Sequence, residues 1–320
     1  MVGAAVLAGC AAAPARPTAS TLPGGTAVPA RSAGSAAIPA PGTAAVPAAS
    51  PAVPSSALSA EPGYLPGDGV PTVVSHGPAG AHRIALTFDS NMTDAMLHRL
   101  ATGQVDSYAN AAVVDVLQAR RVPATFFLSG KWVQRYPDLT HRIAADPSFE
   151  LASHSYAHLG FTAHCYTLGA LAPAAMAADV DRSFAVLAPF GGHQTRYFRF
   201  PGGCYDAAAL RAVAPARATV VQYDDVGGDP FSGDAAAIAG RVMRQAHDGA
   251  IVVLHITKAN APRTADALPA VIDGLRARGY ALVTLSDLLF PANTSPAHAA
   301  TAPVARPPAR PPARPRARRP

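Results

Sequence analysis

Two histidines four positions apart, His154 and His158, are the strongest chemical signal in this 320-residue chain. Two imidazoles at that spacing can share one loop or helix face, and neutral imidazole nitrogens suit a borderline cation such as zinc. A site with three protein ligands keeps a further position open for water, whose pKa the cation lowers. Asp89, Arg199, the pair Asp224 and Asp225, and His255 each end or sit within a short apolar run, and His154 follows another. One polar residue at the end of such a run merely starts a loop. Five runs ending in carboxylates, imidazoles and a guanidinium make a site.

The elements that must position these groups are legible as period and composition. Seven apolar runs read as strands: 83–88, 124–128, 149–153, 196–200, 218–223, 250–254 and 280–285. Stretches 108–120, 174–187, 234–247 and 264–278 carry apolar residues at helical spacing, and an insertion at 91–107 precedes the first of them. Strands alternating with helices imply βαβ units and a parallel sheet. Continuous apolar strands are buried on both faces, so the sheet is either a barrel or doubly wound. In barrels of βα units the loops after the strands converge, which is where the polar residues fall here.

In order and at strand ends, these residues resemble the NodB-homology polysaccharide deacetylases, carbohydrate esterase family 4, over about residues 82–290. Thr87-Phe88-Asp89-Ser90-Asn91 looks like the family's first motif and His154-Ser155-Tyr156-Ala157-His158 like its second. Arg199-Phe200-Pro201-Gly202-Gly203 looks like the third, and Leu254-His255 like the fifth. The resemblance implies an α/β fold, a distorted (β/α) barrel of about seven parallel strands. It implies hydrolysis of N-acetyl groups on a polysaccharide by a protein that holds a divalent metal. Zinc is the first expectation, with cobalt, nickel and manganese as alternatives. By the same resemblance Asp89 is the general base, Arg199 pairs with it and orients it, and His255 is the general acid. His154 and His158 hold the metal. Backbone N–H groups after Pro201, at Gly202 and Gly203, contribute an oxyanion hole, since glycine lets the chain come close.

The chain departs from the family pattern twice. The first motif normally carries a second aspartate as metal ligand, whereas Ser90 and Asn91 follow Asp89 here and neither carries charge. Three arrangements are open: Asn91 is a weak third ligand, Asp94 reaches in, or two histidines and waters suffice. Asn91 is the preferred assignment. The fourth motif is also altered, since Tyr223-Asp224-Asp225 is followed by Gly227-Gly228-Asp229-Pro230 instead of Asp-Trp. The group that orients His255 is therefore open, with Asp225 as a candidate.

Cys165 and Cys204 both lie next to motif residues, and in an exported protein two such cysteines predict a disulfide. Tyr156, Trp132 and Tyr205 are candidates to line a sugar groove, although aromatics near strand ends are more often core. His164 lies six residues after His158, and the remaining histidines are scattered without ligand spacing.

Charge and proline separate the ends from the middle. The chain has 26 Lys and Arg, 20 Asp and Glu, and a formal charge of +6. Six arginines from Arg306 to Arg319 supply all of that excess, which leaves 20 basic against 20 acidic residues before them. A basic, nucleic-acid-binding core is thereby excluded. Of 32 prolines, 13 fall in residues 1–78 and nine in 291–320. Residues 1–10 end in Leu7-Ala8-Gly9-Cys10, which fits a bacterial lipoprotein signal with Cys10 as the lipidated residue, although the apolar stretch is short and lacks a basic start. Residues 11–75 read as an Ala/Pro-rich tether and 291–320 as a Pro/Arg-rich tail able to touch anionic surface polymers. No run of 18 apolar residues occurs. The expected protein is an extracytoplasmic, membrane-anchored deacetylase with peptidoglycan as first substrate. The alternatives are a carbohydrate-binding or scaffolding lipoprotein weakened by loss of the second aspartate, and an O-acetyl esterase.

Overall fold

The computed structural model describes residues 69–290. The signal at 1–10 with Cys10, the tether up to residue 68 and the tail at 291–320 lie outside the described residues.

Nine strands pair in parallel within one sheet among the described residues. They are β1 (Val73–Val74), β2 (Arg83–Asp89), β3 (Ala124–Leu128), β4 (Phe149–Ser153), β5 (His193–Phe198), β6 (Thr219–Val221), β7 (Asp225–Val226), β8 (Ile251–His255) and β9 (Ala281–Val283). Their order is β1-β6-β5-β4-β3-β2-β8-β7, with β9 also pairing β2. The path runs from β1 to β7 without closing, so the sheet is curled into an open, distorted barrel. Seven of the strands match the apolar runs. The other two, β1 and β7, have two residues each, too few to show any period. Because β1 pairs Val73 and Val74 with Val220 and Val221, the fold begins inside the segment expected to be tether up to residue 75.

Nine helices accompany the strands among the described residues: α1 (Asp94–Ala101), α2 (Ala111–Arg120), α3 (Gly130–Arg135), α4 (Pro137–Ala144), α5 (Met176–Leu187), α6 (Ala207–Val213), α7 (Ala235–Gln245), α8 (Thr264–Ala277) and α9 (Leu285–Leu289). The four predicted helices are α2, α5, α7 and α8. The expected insertion contains α1, whose N-cap Thr93 accepts from the Met96 N–H at 3.2 Å. None of the helices is long and apolar enough to cross a membrane.

Strand alternation separates two cores. In β3 the Phe126 ring joins the layer under the outer helices, packed on Phe88 and Phe149, while Phe127 joins the barrel interior with Ala85, Ala152, Tyr197, Val221 and Ile251. Helix α9 fills the end where the strands begin, adding Leu285 and Leu288 to that interior. Its Leu285 N–H donates to Thr125 Oγ1, and its Ser286 N–H donates to the buried Glu150 carboxylate. With one end plugged, the opposite end, where Asp89, His154 and His255 emerge, is free to form a cleft.

Phe126 is fully buried between two aromatic neighbours 5.4 and 5.2 Å away. Phe126→Ala should cost about 3–5 kcal/mol in urea unfolding, and a loss below about 1 kcal/mol would contradict this account of the core.

Candidate active site

Each strand end delivers one polar group. Asp89 closes β2, His154 follows β4 and Arg199 follows β5, one residue past the strand that was expected to contain it. The Arg199 guanidinium is fully buried and uses four of its five N–H donors: Nη1 donates to Asp89 Oδ1 at 2.7 Å and to Thr87 Oγ1 at 2.8 Å. Nε donates to the Val221 carbonyl and Nη2 to the Gln222 carbonyl. Phe127 lies under its plane at 3.9 Å. Asp89 Oδ1 is thus held, and Oδ2 stands 3.7 Å from His154 Nε2 in the cleft.

His154 Nδ1 lies 3.0 Å from the Arg199 carbonyl, an arrangement that assigns the proton to Nδ1 and leaves Nε2 with its lone pair. Burial drives this imidazole down to about 4 against the opposing pull of Asp89, so it is neutral. Burial, then the neighbouring His154 and His255, hold His158 well below its ordinary value. The two rings are 5.0 Å apart. Neither His158 nitrogen has a hydrogen-bond partner, and Asn91 Oδ1 is likewise buried and unpartnered. Buried acceptors left unsatisfied cost stability unless something else occupies them. Two neutral imidazoles and a carboxamide oxygen facing one cleft fit a divalent cation.

The other arrangements for the third ligand fare worse. Asp94 lines the cleft, but its carboxylate is paired with Lys131 and its side chain is 84% exposed. Ser90 is fully buried with its hydroxyl accepting from the Ser129 N–H at 3.0 Å. Among the described residues no group of three or more His, Cys, Asp or Glu gathers as a metal set. The carboxamide of Asn91 thus remains as a candidate third ligand, beside an arrangement of two histidines and waters.

The loop carrying the histidines is held in an unfavourable shape. Ser155 and His158 have φ of 66° and 52°, the left-handed region that costs non-glycine residues roughly 1 kcal/mol each. Two neighbours lock it. The Gly130 and Lys131 N–H groups at the start of α3 donate to the Ser155 and Tyr156 carbonyls at 3.0 Å. The Asp179 carboxylate on α5 accepts from the Tyr156 and Ala157 N–H groups at 2.8 and 3.2 Å. Burial pushes the Asp179 carboxyl up, and these bonds only partly offset it. Nothing in the sequence marks Asp179, which lies 21 residues beyond His158 on a helix read only for its apolar face.

Asp229, not Asp225, orients His255. Its Oδ1 is 2.9 Å from His255 Nδ1, while Oδ2 accepts from the His255 N–H at 2.8 Å and from Thr264 Oγ1 at 2.6 Å. Burial would lower the His255 pKa, but the Asp229 charge and hydrogen bond overcome it, so the value is raised. Burial would raise Asp229, and His255 reverses that too. Asp225 is buried without a partner for either oxygen, and burial together with Asp224 pushes it up to about 7. Asp224 turns outward to His247, 2.9 Å away. The departure after Gly227-Gly228 conceals the true partner. A left-handed Gly228 at φ 67° returns the chain so that Asp229 meets His255.

Pro201, Gly202 and Gly203 form a short turn beside the cleft. Proline has no N–H, and the Gly203 N–H donates to the Phe200 carbonyl at 2.9 Å. Of the three residues expected to supply oxyanion donors, only the Gly202 N–H remains. Cys165 and Cys204 form the expected disulfide, with Cα atoms 5.8 Å apart. Trp132 is core, its Nε1 donating to the Tyr108 carbonyl. Tyr156 is buried beneath the Arg182 guanidinium. Tyr205 stacks on Phe200 and does not line the cleft. The aromatics that do are Tyr166, Tyr223 and Phe231, around a volume of about 810 Å³.

An open parallel barrel with this site at its strand ends is the arrangement that the motif resemblance implies. The polysaccharide deacetylase family model matches residues 76–221, most of the described domain. The uncharacterized protein YlxY of Bacillus subtilis is 27% identical over 177 residues, covering 55% of this chain and 52% of YlxY. The peptidoglycan-N-acetylmuramic acid deacetylase PdaC of Bacillus subtilis is 28% identical over 207 residues, 64% of this chain and 38% of PdaC. The chain thus spans about half or less of the length of these relatives. The solved structure of PdaC superimposes with a TM-score of 0.51 at 27% identity, covering 64% of this chain and 89% of that one. The fold is also that of BA3943 from Bacillus anthracis, described as a family 4 carbohydrate esterase pseudoenzyme, at a TM-score of 0.55 and 22% identity over 68% and 69% of the two chains.

In an imidazole NMR titration, His255 should titrate above its ordinary 6.5. Asp229→Asn removes the larger upward contributions and leaves burial opposed only by the weaker pull of Asp89, so the midpoint should fall. An unmoved midpoint would show that Asp229 is not the cause.

Proposed function

We propose that this domain hydrolyses N-acetyl groups of a polysaccharide, with peptidoglycan the first substrate to test. The observation that carries the reading is a pair of proton carriers on one cleft: Asp89, anchored by Arg199 through one oxygen, and His255, anchored by Asp229 through Nδ1. His154 and His158 would hold a divalent ion, zinc first, with Asn91 Oδ1 as a weak third ligand. When bound, such an ion supplies Lewis-acid polarisation of the amide carbonyl and activation of water.

The residues account for the proton transfers. Asp89 Oδ2 takes a proton as the water oxygen bonds to the acetyl carbon. The Gly202 N–H receives the charge that develops on the carbonyl oxygen. His255, whose hold on its proton Asp229 strengthens, gives the proton on Nε2 to the departing nitrogen as the carbon–nitrogen bond breaks. Acetic acid and a free amine result, and passage of the proton from Asp89 to His255 restores the site. Peptidoglycan comes first because PdaC bears that activity in its name. The lipoprotein-type sequence ending at Cys10 supports a place at the cell surface.

A second reading is favoured by one observation, the neutral third position. With Ser90 tied to Ser129 and only a carboxamide facing the cleft, metal affinity is weaker than a carboxylate would give, and the domain becomes a glycan binder with little turnover.

The full chain, assayed for acetate release from N-acetylglucosamine oligomers and peptidoglycan with added zinc or cobalt, should release acetate. His154→Ala should reduce the rate at least about 100-fold. No release with any metal would overturn the deacetylase reading. Asn91→Asp should tighten zinc binding about tenfold or more, measured by competition with a chromogenic chelator. Unchanged affinity would remove Asn91 from the ligand set.

A further inference from the structure

The mouth of the cleft holds two large side chains in water. Tyr166 is 75% exposed and Phe231 77%, whereas the other exposed large hydrophobics among the described residues do not pass 39%. Both line the cleft that contains Asp89 and His255. Their rings lie 6.3 Å apart and 34° from parallel. A third ring cannot enter between planes that close, so the pair forms one continuous shelf. Exposed apolar surface beside a polar cleft marks a ligand contact more often than chance.

The shelf is fastened to both halves of the catalytic apparatus. Tyr166, at φ 51°, follows Cys165, whose disulfide to Cys204 ties it to the Pro201–Gly203 turn. A Cβ on Gly202 would stand 2.8 Å from Cys165 Sγ and 3.1 Å from the Tyr166 ring, so the ring rests on the residue offering its N–H to the cleft. Phe231 closes the turn Asp229–Phe231, two residues after the carboxylate that holds His255. Neither ring is needed for that chemistry, and each is set at a fixed offset from it.

We propose that Tyr166 and Phe231 form a stacking subsite for the apolar face of a pyranose ring next to the sugar being deacetylated, so that the cleft reads an extended β-1,4-linked glycan chain. The subsite rests on the reading of the cleft as a glycan site. In a β-1,4-linked chain the equatorial substituents leave axial C–H groups on each ring face, and these pack against aromatic faces. Sequence-tolerant stacking of this kind rewards chain length over substituent identity.

Calorimetric titration of the full chain with a β-1,4-linked glucosamine tetramer tests this without turnover, because that sugar has no acetyl group to lose. The protein should bind the tetramer more tightly than glucosamine. Tyr166→Ala and Phe231→Ala should each weaken tetramer binding roughly five- to tenfold. Binding of glucosamine should stay within twofold, and Tyr166→Phe should retain tetramer binding. Equal affinity for tetramer and monomer, no tetramer binding, or unchanged binding in both alanine variants would overturn the subsite. Shelf-dependent binding by a protein that releases no acetate would leave the subsite standing and remove the deacetylase reading. Acetate release together with unchanged binding in the variants would do the reverse.

Discussion

The buried ion pair between Arg199 and Asp89 is the constraint around which the rest is arranged. A guanidinium with no solvent exposure is tolerable only if its donors are spoken for and a counter-charge is close. Here β2 supplies Asp89 and Thr87, and the end of β6 supplies the carbonyls of Val221 and Gln222. Strands separated by three others in the sheet order are thereby brought to one point inside the curl. The backbone of Arg199 adds to this, since its N–H bonds the Ser153 carbonyl and its own carbonyl fixes the tautomer of His154. One residue joins β2 to the end of β6, orients the carboxylate and leaves free one nitrogen of a candidate metal ligand.

Around that point the site is held by backbone contacts more than by side-chain packing. The His154–His158 loop keeps two residues in the left-handed region because α3 satisfies its carbonyls from one side and Asp179 its N–H groups from the other. Local strain of this kind persists only where surrounding structure over-determines it. The disulfide and the turn at Pro201–Gly203 provide the same rigidity across the cleft. Preorganised donors need no rearrangement as charge develops, which is the physical value of such stiffness.

The neutral character of the third position separates this chain from the motif pattern it resembles. A carboxylate there would add charge attraction to a cation, whereas Asn91 offers a dipole. The buried Oδ1 nevertheless has no protein partner, as expected of a group that answers to something outside the chain. Asp225 remains without such an explanation: a buried, unpartnered carboxyl pushed up to about 7 in a two-residue strand.

Most of the fold and the central residues were legible along the chain. Seven strand runs are continuous and apolar because a parallel barrel buries both faces, and burial leaves a mark at every position. Asp89, His154, Arg199 and His255 stand out because each lies at the end of such a run, and His158 by its spacing from His154. What could not be read depends on where the chain returns. Asp229 reaches His255 through a left-handed glycine, Asp179 caps the histidine loop from a helix chosen for its other face, and Trp132 and Tyr156 are core while Tyr166 and Phe231 stand in water. The sequence by itself determined which elements form and which residue types carry the chemistry, because period and burial are local. Only the tertiary structure decided which carboxylate meets which imidazole and which aromatics line the cleft, because those pairings join residues 22 to 110 positions apart through short-range contacts that no period records.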